Sequence, residues 1–121
     1  MSIQAGGEAL EQLEQALRAL RGRGGVGRLL CQLLEPVRAY DARTRSDLAG
    51  TLRVYVESGG GVAATAERLF LHRNSVFYRL QRIEELSGID ARDRWTRLIL
   101  LVAFTLTDPA FPAPRSKEEE P

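Results

Sequence analysis

Residues 62 to 86 constrain this chain more than any other stretch. They read VAATAERLFLHRNSVFYRLQRIEEL. Small and apolar residues recur at helical spacing on both sides of a short break, so the stretch reads as two helices around a turn. Arg68, Arg73, Arg79 and Arg82 fall inside it, and no acid stands between Glu67 and Glu84. The net charge is only +1, so a case for an anionic partner must rest on this local charge.

The neighbouring residues extend the pattern. Thr44 and Asp47 offer a helix start resembling a capping box, with Asp in place of the usual Glu. Leu48, Leu52, Tyr55 and Val56 then share one helical face, and Ser58 with Gly59 to Gly61 stops that helix. Val62, Ala66 and Leu69 mark a short second helix. Ala66 stands where two crossing helices need a small side chain. Leu71 falls in the turn and points inward. Arg73 to Leu86 form the third helix, with Val76, Leu80 and Ile83 on its inner side. Three helices so spaced predict the core of an all-α helix-turn-helix domain, with further helices at its N- and C-terminal sides.

A wheel of the third helix sets Asn74, Tyr78, Gln81, Arg82 and Glu85 opposite the apolar side, with Ser75 and Arg79 at its edge. Arginine can hold a guanine edge by two parallel bonds, and Asn or Gln can do the same for adenine. Tyr78 suits a phosphate or a thymine methyl. Arg68, Arg73, Arg79 and the amides after Gly61 suit phosphates. His72, just ahead of the helix, reads as a cap or phosphate contact, as a packed core residue, or as a metal ligand. The expected DNA-binding residues are therefore Arg68, His72, Arg73, Asn74, Ser75, Tyr78, Arg79 and Arg82. A solvated arginine-rich face on an interaction module is the plainer reading of the same charges.

Outside this core the chain is less informative. At 121 residues it holds one domain, with residues 1–7 and 108–121 expected to be disordered. Residues 8–32 form an N-terminal helical segment and a Gly-rich joint, and residues 33–107 form the helix-turn-helix domain. Leu10, Leu13, Leu17 and Leu20 make a seam of about two heptads on a helix from Glu8 to Arg21. That seam packs on its own domain or on a second copy. Gly22, Gly24, Gly25 and Gly27 lack the lysine and the preceding strand of a phosphate-binding loop. Arg28 to Leu34 form a short apolar helix that Pro36 ends or restarts. Cys31 reads as a small buried apolar residue there. Asp90 is placed to cap a last helix, Arg92 to Leu106, which is apolar nearly all round. Its cover comes from within the monomer or from a dimer partner.

Other function classes find little material. One cysteine and one histidine leave no disulfide framework, no zinc set and no nucleophile–base pair, so no catalytic residue, metal or cofactor is assigned. The N-terminus lacks the basic start and apolar core of a signal peptide. The longest apolar run, Leu98 to Phe104, is far below the ~20 residues that span a bilayer. The expected setting is the cytoplasm, on the nucleoid, with duplex DNA and a second copy of the chain as partners and no membrane.

The combination of Leu52 to Val56, Gly59 to Gly61, Ala63 to Leu69, His72-Arg73-Asn74, Tyr78-Arg79 and Arg82-Ile83-Glu84-Glu85-Leu86 before Ser87-Gly88 resembles one family. It is similar to the C-terminal helix-turn-helix domain of the PucR/CdaR family of bacterial transcriptional regulators. With the lead-in near Leu34 to Tyr40 and the last helix, the resemblance covers roughly residues 33 to 107. It implies a DNA-binding regulator whose reading helix follows His72. Family members usually carry sensory or GGDEF-like domains upstream and respond to metabolites. No such domain fits in residues 1–32, so a fragment of a longer regulator or a stand-alone module is expected, and no effector carries over. Three residues depart from the pattern. Phe70 stands where the turn often has Gly, Ser75 where the family often has Thr, and Phe77 is large and apolar beside the reading face. A nucleoid-type helix-turn-helix that bends DNA, and a dimerisation module that reads no DNA, are the alternatives.

Overall fold

Six helices carry the apolar patterns into a single core. The computed structural model describes residues 3–108, 110 and 111. The helices are α1 (Ile3–Ala19), α2 (Val26–Thr44), α3 (Leu48–Glu57), α4 (Val62–Leu69), α5 (Arg73–Ser87) and α6 (Arg94–Thr107). The chain is all-α over these residues, as expected. Helix α5 packs against α2, α3 and α4, while α6 packs against α1, α2 and α3. Between them lies a core built on Leu34 and Val37 of α2, Leu52 and Val56 of α3, Val76, Leu80 and Ile83 of α5, and Leu100 and Phe104 of α6. The expected inner faces of α3 and α5 are all buried, and Ala66 is buried where α4 approaches its neighbours.

Several sequence expectations need correction. Helix α2 runs straight through Pro36. A proline inside a helix costs roughly 3 kcal/mol. Leu30, Leu34 and Val37 on the same helix are buried, each worth about 1.5–3 kcal/mol, and together they outweigh that cost. Cys31 is exposed, not buried, and its Sγ accepts a bond from Arg38 Nη1 at 3.7 Å. It falls on the outer side of α2, away from Leu30 and Leu34. Helix α1 begins at Ile3 and not at Glu8, so it takes in most of the segment expected to be disordered.

Helix caps also differ. Thr44 belongs to the end of α2, where its hydroxyl donates to Tyr40 O. The cap of α3 is Asp47, which accepts from Gly50 N–H at 3.1 Å. Asp41 reaches across from α2 and accepts from Leu48 and Ala49 N–H at 2.7 and 2.9 Å. Two carboxylates thus satisfy three amides that a helix start leaves open. Helix α6 is capped by Asp93, not Asp90, because Asp93 accepts from Thr96 N–H at 2.9 Å while Asp90 turns to Arg92 N–H.

The C-terminal segment is not loose at its start. Phe111 is fully buried and its ring lies 5.2 Å from that of Phe104. Arg53 pairs with Asp108, and Arg18 Nη1 donates to Phe111 O at 3.3 Å. Burying one phenylalanine, worth roughly 2–3 kcal/mol, is enough to hold the turn after α6. The remainder of the expected tail lies outside the described residues.

Two helices leave apolar surface uncovered. Among the described helices α1 packs only against α6, and its seam stays open, with Leu10 67% exposed. On α6, Trp95 is 66% exposed, and Leu98, Ile99 and Val102 are exposed beside it. No helix among the described residues is long and apolar enough to cross a membrane.

Candidate nucleic-acid interface

The turn that aims α5 is closed by Phe70. Its backbone is left-handed, at φ 56 and ψ 45, and its side chain is 95% exposed. Leu71 N–H bonds back to Ala66 O at 2.9 Å and Phe70 N–H to Glu67 O at 3.3 Å, the closure of a helix that ends on a left-handed residue. Leu71 packs against the core as expected. His72 then caps α5, its Nδ1 accepting from Asn74 N–H at 3.0 Å. That geometry supports the capping reading of His72 over a core position or a metal ligand. Among the described residues no group of three His, Cys, Asp or Glu is arranged to hold a metal ion.

The eight expected site residues divide into two sets. Arg73, Asn74 and Tyr78 are exposed on the outer side of α5, with Ser75 half-buried beside them. The side chains of Arg73, Asn74 and Ser75 make no hydrogen bond or ion pair among the described residues. The other arginines are engaged. Arg68 pairs with Glu57 at 2.7 Å. Arg79 turns inward, donating to Thr51 Oγ1 at 2.8 Å and to Asp47 O at 3.5 Å. Arg82 pairs with Glu85 at 2.8 Å and lies 4.9 Å from the centre of the Tyr40 ring, with its Nε buried and without an acceptor among the described residues. Phe77 is exposed, and α5 does not pack on α6 among the described residues.

Tyr40 is the residue that the wheel of α5 could not reveal. It comes from α2 and meets Tyr78 and Arg82 of α5. The hydrogen bond from Arg82 draws its hydroxyl below the ordinary tyrosine range; burial works against this, and the Arg82 charge, a bond with Tyr78 and the Arg43 charge add to it. The Arg82 guanidinium is correspondingly held more firmly in its charged form, first by Glu85 and then by Tyr40. Tyr40, Ser46 and Leu48 form one wall of a cleft of about 400 Å³, and Asn74, Ser75, Tyr78 and Arg79 form the other. The only sequence signal was an aromatic residue at the end of an arginine-bearing helix.

The turn between α3 and α4 is fixed by buried hydroxyls. Thr65 is fully buried, donates to Gly61 O at 2.7 Å and meets Ser58 Oγ at 3.2 Å, while Gly61 N–H donates to Ser58 Oγ at 3.2 Å. This network holds the start of α4, and through it the turn that leads into α5.

Residues 48–106 match the family model of the PucR C-terminal helix-turn-helix domain. The match runs from the first residue of α3 to the last turn of α6. The same region is similar to the purine catabolism regulatory protein of Bacillus subtilis (strain 168), at 42% identity over 59 residues, covering 49% of this chain and 11% of that protein. It is similar to the carbohydrate diacid regulator of Escherichia coli (strain K12), at 41% identity over 61 residues, covering 50% of this chain and 16% of that protein. The proline-responsive transcriptional activator PutR of Bacillus subtilis (strain 168) is 33% identical over 70 residues, covering 58% of this chain and 17% of that protein. The chain thus spans a small part of the length of the curated relatives it matches. No solved structure matches. Helices α3 to α6 form a PucR-like helix-turn-helix domain, homologous to segments of several transcriptional regulators.

Proposed function

We propose that this chain binds duplex DNA with sequence preference and regulates transcription, with α5 as the reading helix in the major groove. The observation that carries this reading is the outer face of α5. Arg73, Asn74 and Ser75 lie at the N-terminal end of that helix, their side chains free of hydrogen bonds and ion pairs among the described residues. In a helix-turn-helix the residues that meet base edges are those near the start of the second helix. Arg73 and Asn74 match the guanine and adenine edges respectively, and Tyr78 lies one turn further along. In this reading Arg68 and His72 contact phosphates. Arg79 and Arg82, expected to contact DNA, serve in this reading to hold α5 against α3 and α2.

Homology to regulators supports the same reading. The names of those regulators refer to purines, carbohydrate diacids and proline, which are unlike one another, so no effector comes to this chain. A homodimer would set two reading helices one turn of DNA apart, about 34 Å. The exposed leucine seam of α1 and the exposed Trp95, Leu98, Ile99 and Val102 of α6 are surfaces that such a dimer would cover. Such a regulator works in the cytoplasm, on the nucleoid.

The test is binding of labelled duplexes at fixed salt by wild type, Arg73→Ala and Asn74→Ala. Each lost base contact is expected to cost about 1–3 kcal/mol. Unchanged affinity in both variants contradicts the reading. The same uncovered leucines favour a second reading, a dimerisation module that reads no DNA. Self-association of the chain with no binding to any duplex would favour that one.

A further inference from the structure

The end of α2 and the turn after it lie against the reading helix, although residues before 48 fall outside the matched domain. Ser46 and Tyr40 share the cleft with Asn74, Ser75 and Tyr78, so the α2–α3 turn and the start of α5 present one continuous surface. Arg43 reaches the cleft through the Tyr40 ring, and Arg45 directly precedes Ser46 in the chain. The Arg43 guanidinium lies 5.4 Å from the centre of the Tyr40 ring, and Arg82 lies 4.9 Å from the same centre. Both Arg43 and Arg45 are exposed, and neither guanidinium has a hydrogen bond or ion pair among the described residues.

The nearby acids are engaged with other partners. Asp41 gives both carboxylate oxygens to the amides of Leu48 and Ala49, and Asp47 accepts from Gly50. Glu85 is paired with Arg82. Carboxylates engaged by helix-start amides and by Arg82 form no ion pair with Arg43 or Arg45 among the described residues.

Arg45 adds a second, independent observation. It closes α2 in the left-handed conformation, at φ 60 and ψ 23, with its N–H on Asp41 O. A side chain other than Gly, Asn or Asp costs about 1–2 kcal/mol in that conformation. Stability alone would place Gly there, as Gly88 stands at the end of α5. The arginine keeps an exposed cation next to Ser46 of the cleft at a cost to the fold.

We propose that Arg43 and Arg45 form a clamp on the sugar–phosphate backbone of duplex DNA, beside the groove that α5 reads. The inference rests on the DNA-binding reading of α5. A helix seated in the major groove is flanked by the phosphates of both strands, and a basic turn beside its N-terminal half meets one of those strands. The clamp carries no base information. It sets affinity and register, while Arg73, Asn74 and Tyr78 set sequence preference.

The experiment measures fluorescence anisotropy of a labelled duplex of about 20 base pairs with the full chain, across a series of KCl concentrations. Two phosphate contacts contribute about 1.8 to the slope of log affinity against log salt. The double variant Arg43→Ala/Arg45→Ala is expected to lose roughly that much slope and to bind about tenfold or more weakly at low salt, with the order of preference among duplexes unchanged. Arg45→Gly is the sharper variant. It is expected to raise the melting temperature and weaken binding together, a divergence that a merely structural arginine would not produce. Wild-type binding with an undiminished slope in the double variant overturns the clamp and leaves the reading of α5 standing. Failure of the wild type to bind any duplex overturns both.

Discussion

The Arg79 guanidinium donates to Thr51 Oγ1 at 2.8 Å, joining α5 to α3 through a side chain that is fully buried. Thr51 in turn donates to Asp47 O at 2.8 Å, next to the cap of α3. Arg79 is therefore a strut between two helices and not a free cation. Replacing it with methionine keeps the aliphatic stem and removes the bond. Urea unfolding of Arg79→Met is expected to show a loss of roughly 1–2 kcal/mol. Wild-type stability in that variant would show that the strut contributes nothing to the fold.

Phe70 holds a strained backbone with almost no contact in return. Its left-handed conformation costs roughly 1–2 kcal/mol, and its side chain is exposed to water. Phe70→Gly is expected to raise stability by about 1 kcal/mol, the relief being partly offset by the greater freedom of glycine in the unfolded chain. Thermal unfolding measures it, and a lower melting temperature would mean that Phe70 makes a contact worth more than its strain.

Gly60 is the opposite case. It has φ +88, and a Cβ built there would stand 2.7 Å from Arg97 Cζ. Arg97 is itself held by Ala91 O and Arg92 O at 3.3 and 3.0 Å and lies over the Tyr55 ring. Gly60→Ala must strain the turn and displace Arg97. A loss of about 1–3 kcal/mol is expected in denaturant unfolding, against little change for an alanine at an ordinary surface position.

Acid should weaken the start of α6. The Asp93 carboxylate is drawn below its ordinary range, first by the Thr96 amide and then by the Thr96 hydroxyl. A carboxylate depressed in the folded state adds stability above its unfolded value and loses it as pH falls through the folded one. The contribution is thus intact at neutral pH and fades below about pH 4. Asn is as good a cap but does not titrate there. Asp93→Asn is expected to match wild type near pH 7 and to show a flatter fall in melting temperature between pH 5 and pH 2. Parallel curves for the two proteins would exclude this origin of acid sensitivity.

Much of the fold could be read from residues because its signals are periodic. Val76, Leu80 and Ile83 declare one side of α5 without reference to anything else, and Ala66 declares a close helix crossing. Decisions that depend on which chain segment returns to which were not readable in the same way. Thr44, Asp47 and Asp90 all look like caps, but Asp41 and Asp93 do part of that work because the folded chain brings their carboxylates to open amides. Arg73 and Arg79 look alike on a wheel, and only the approach of α3 turns one inward. Pro36 and Phe111 carry local signals, a helix breaker and a lone aromatic among prolines, that burial overrides. Tyr40 joins the cleft beside Asn74 and Tyr78 only because α2 lies beside α5.

The outer face of α5 remains the centre of the account, and it is tested most directly by selecting bound sequences from a pool of random duplexes. With α5 in the major groove and Arg73 and Asn74 on base edges, the wild-type chain should enrich a defined consensus. A homodimer should give two inverted half-sites about one helical turn apart, and Asn74→Ala should relax the preference at one position of each half-site. A pool that stays random after repeated rounds with the wild-type chain, or a consensus that Arg73→Ala and Asn74→Ala leave unchanged, would contradict the assignment of α5 as the reading helix.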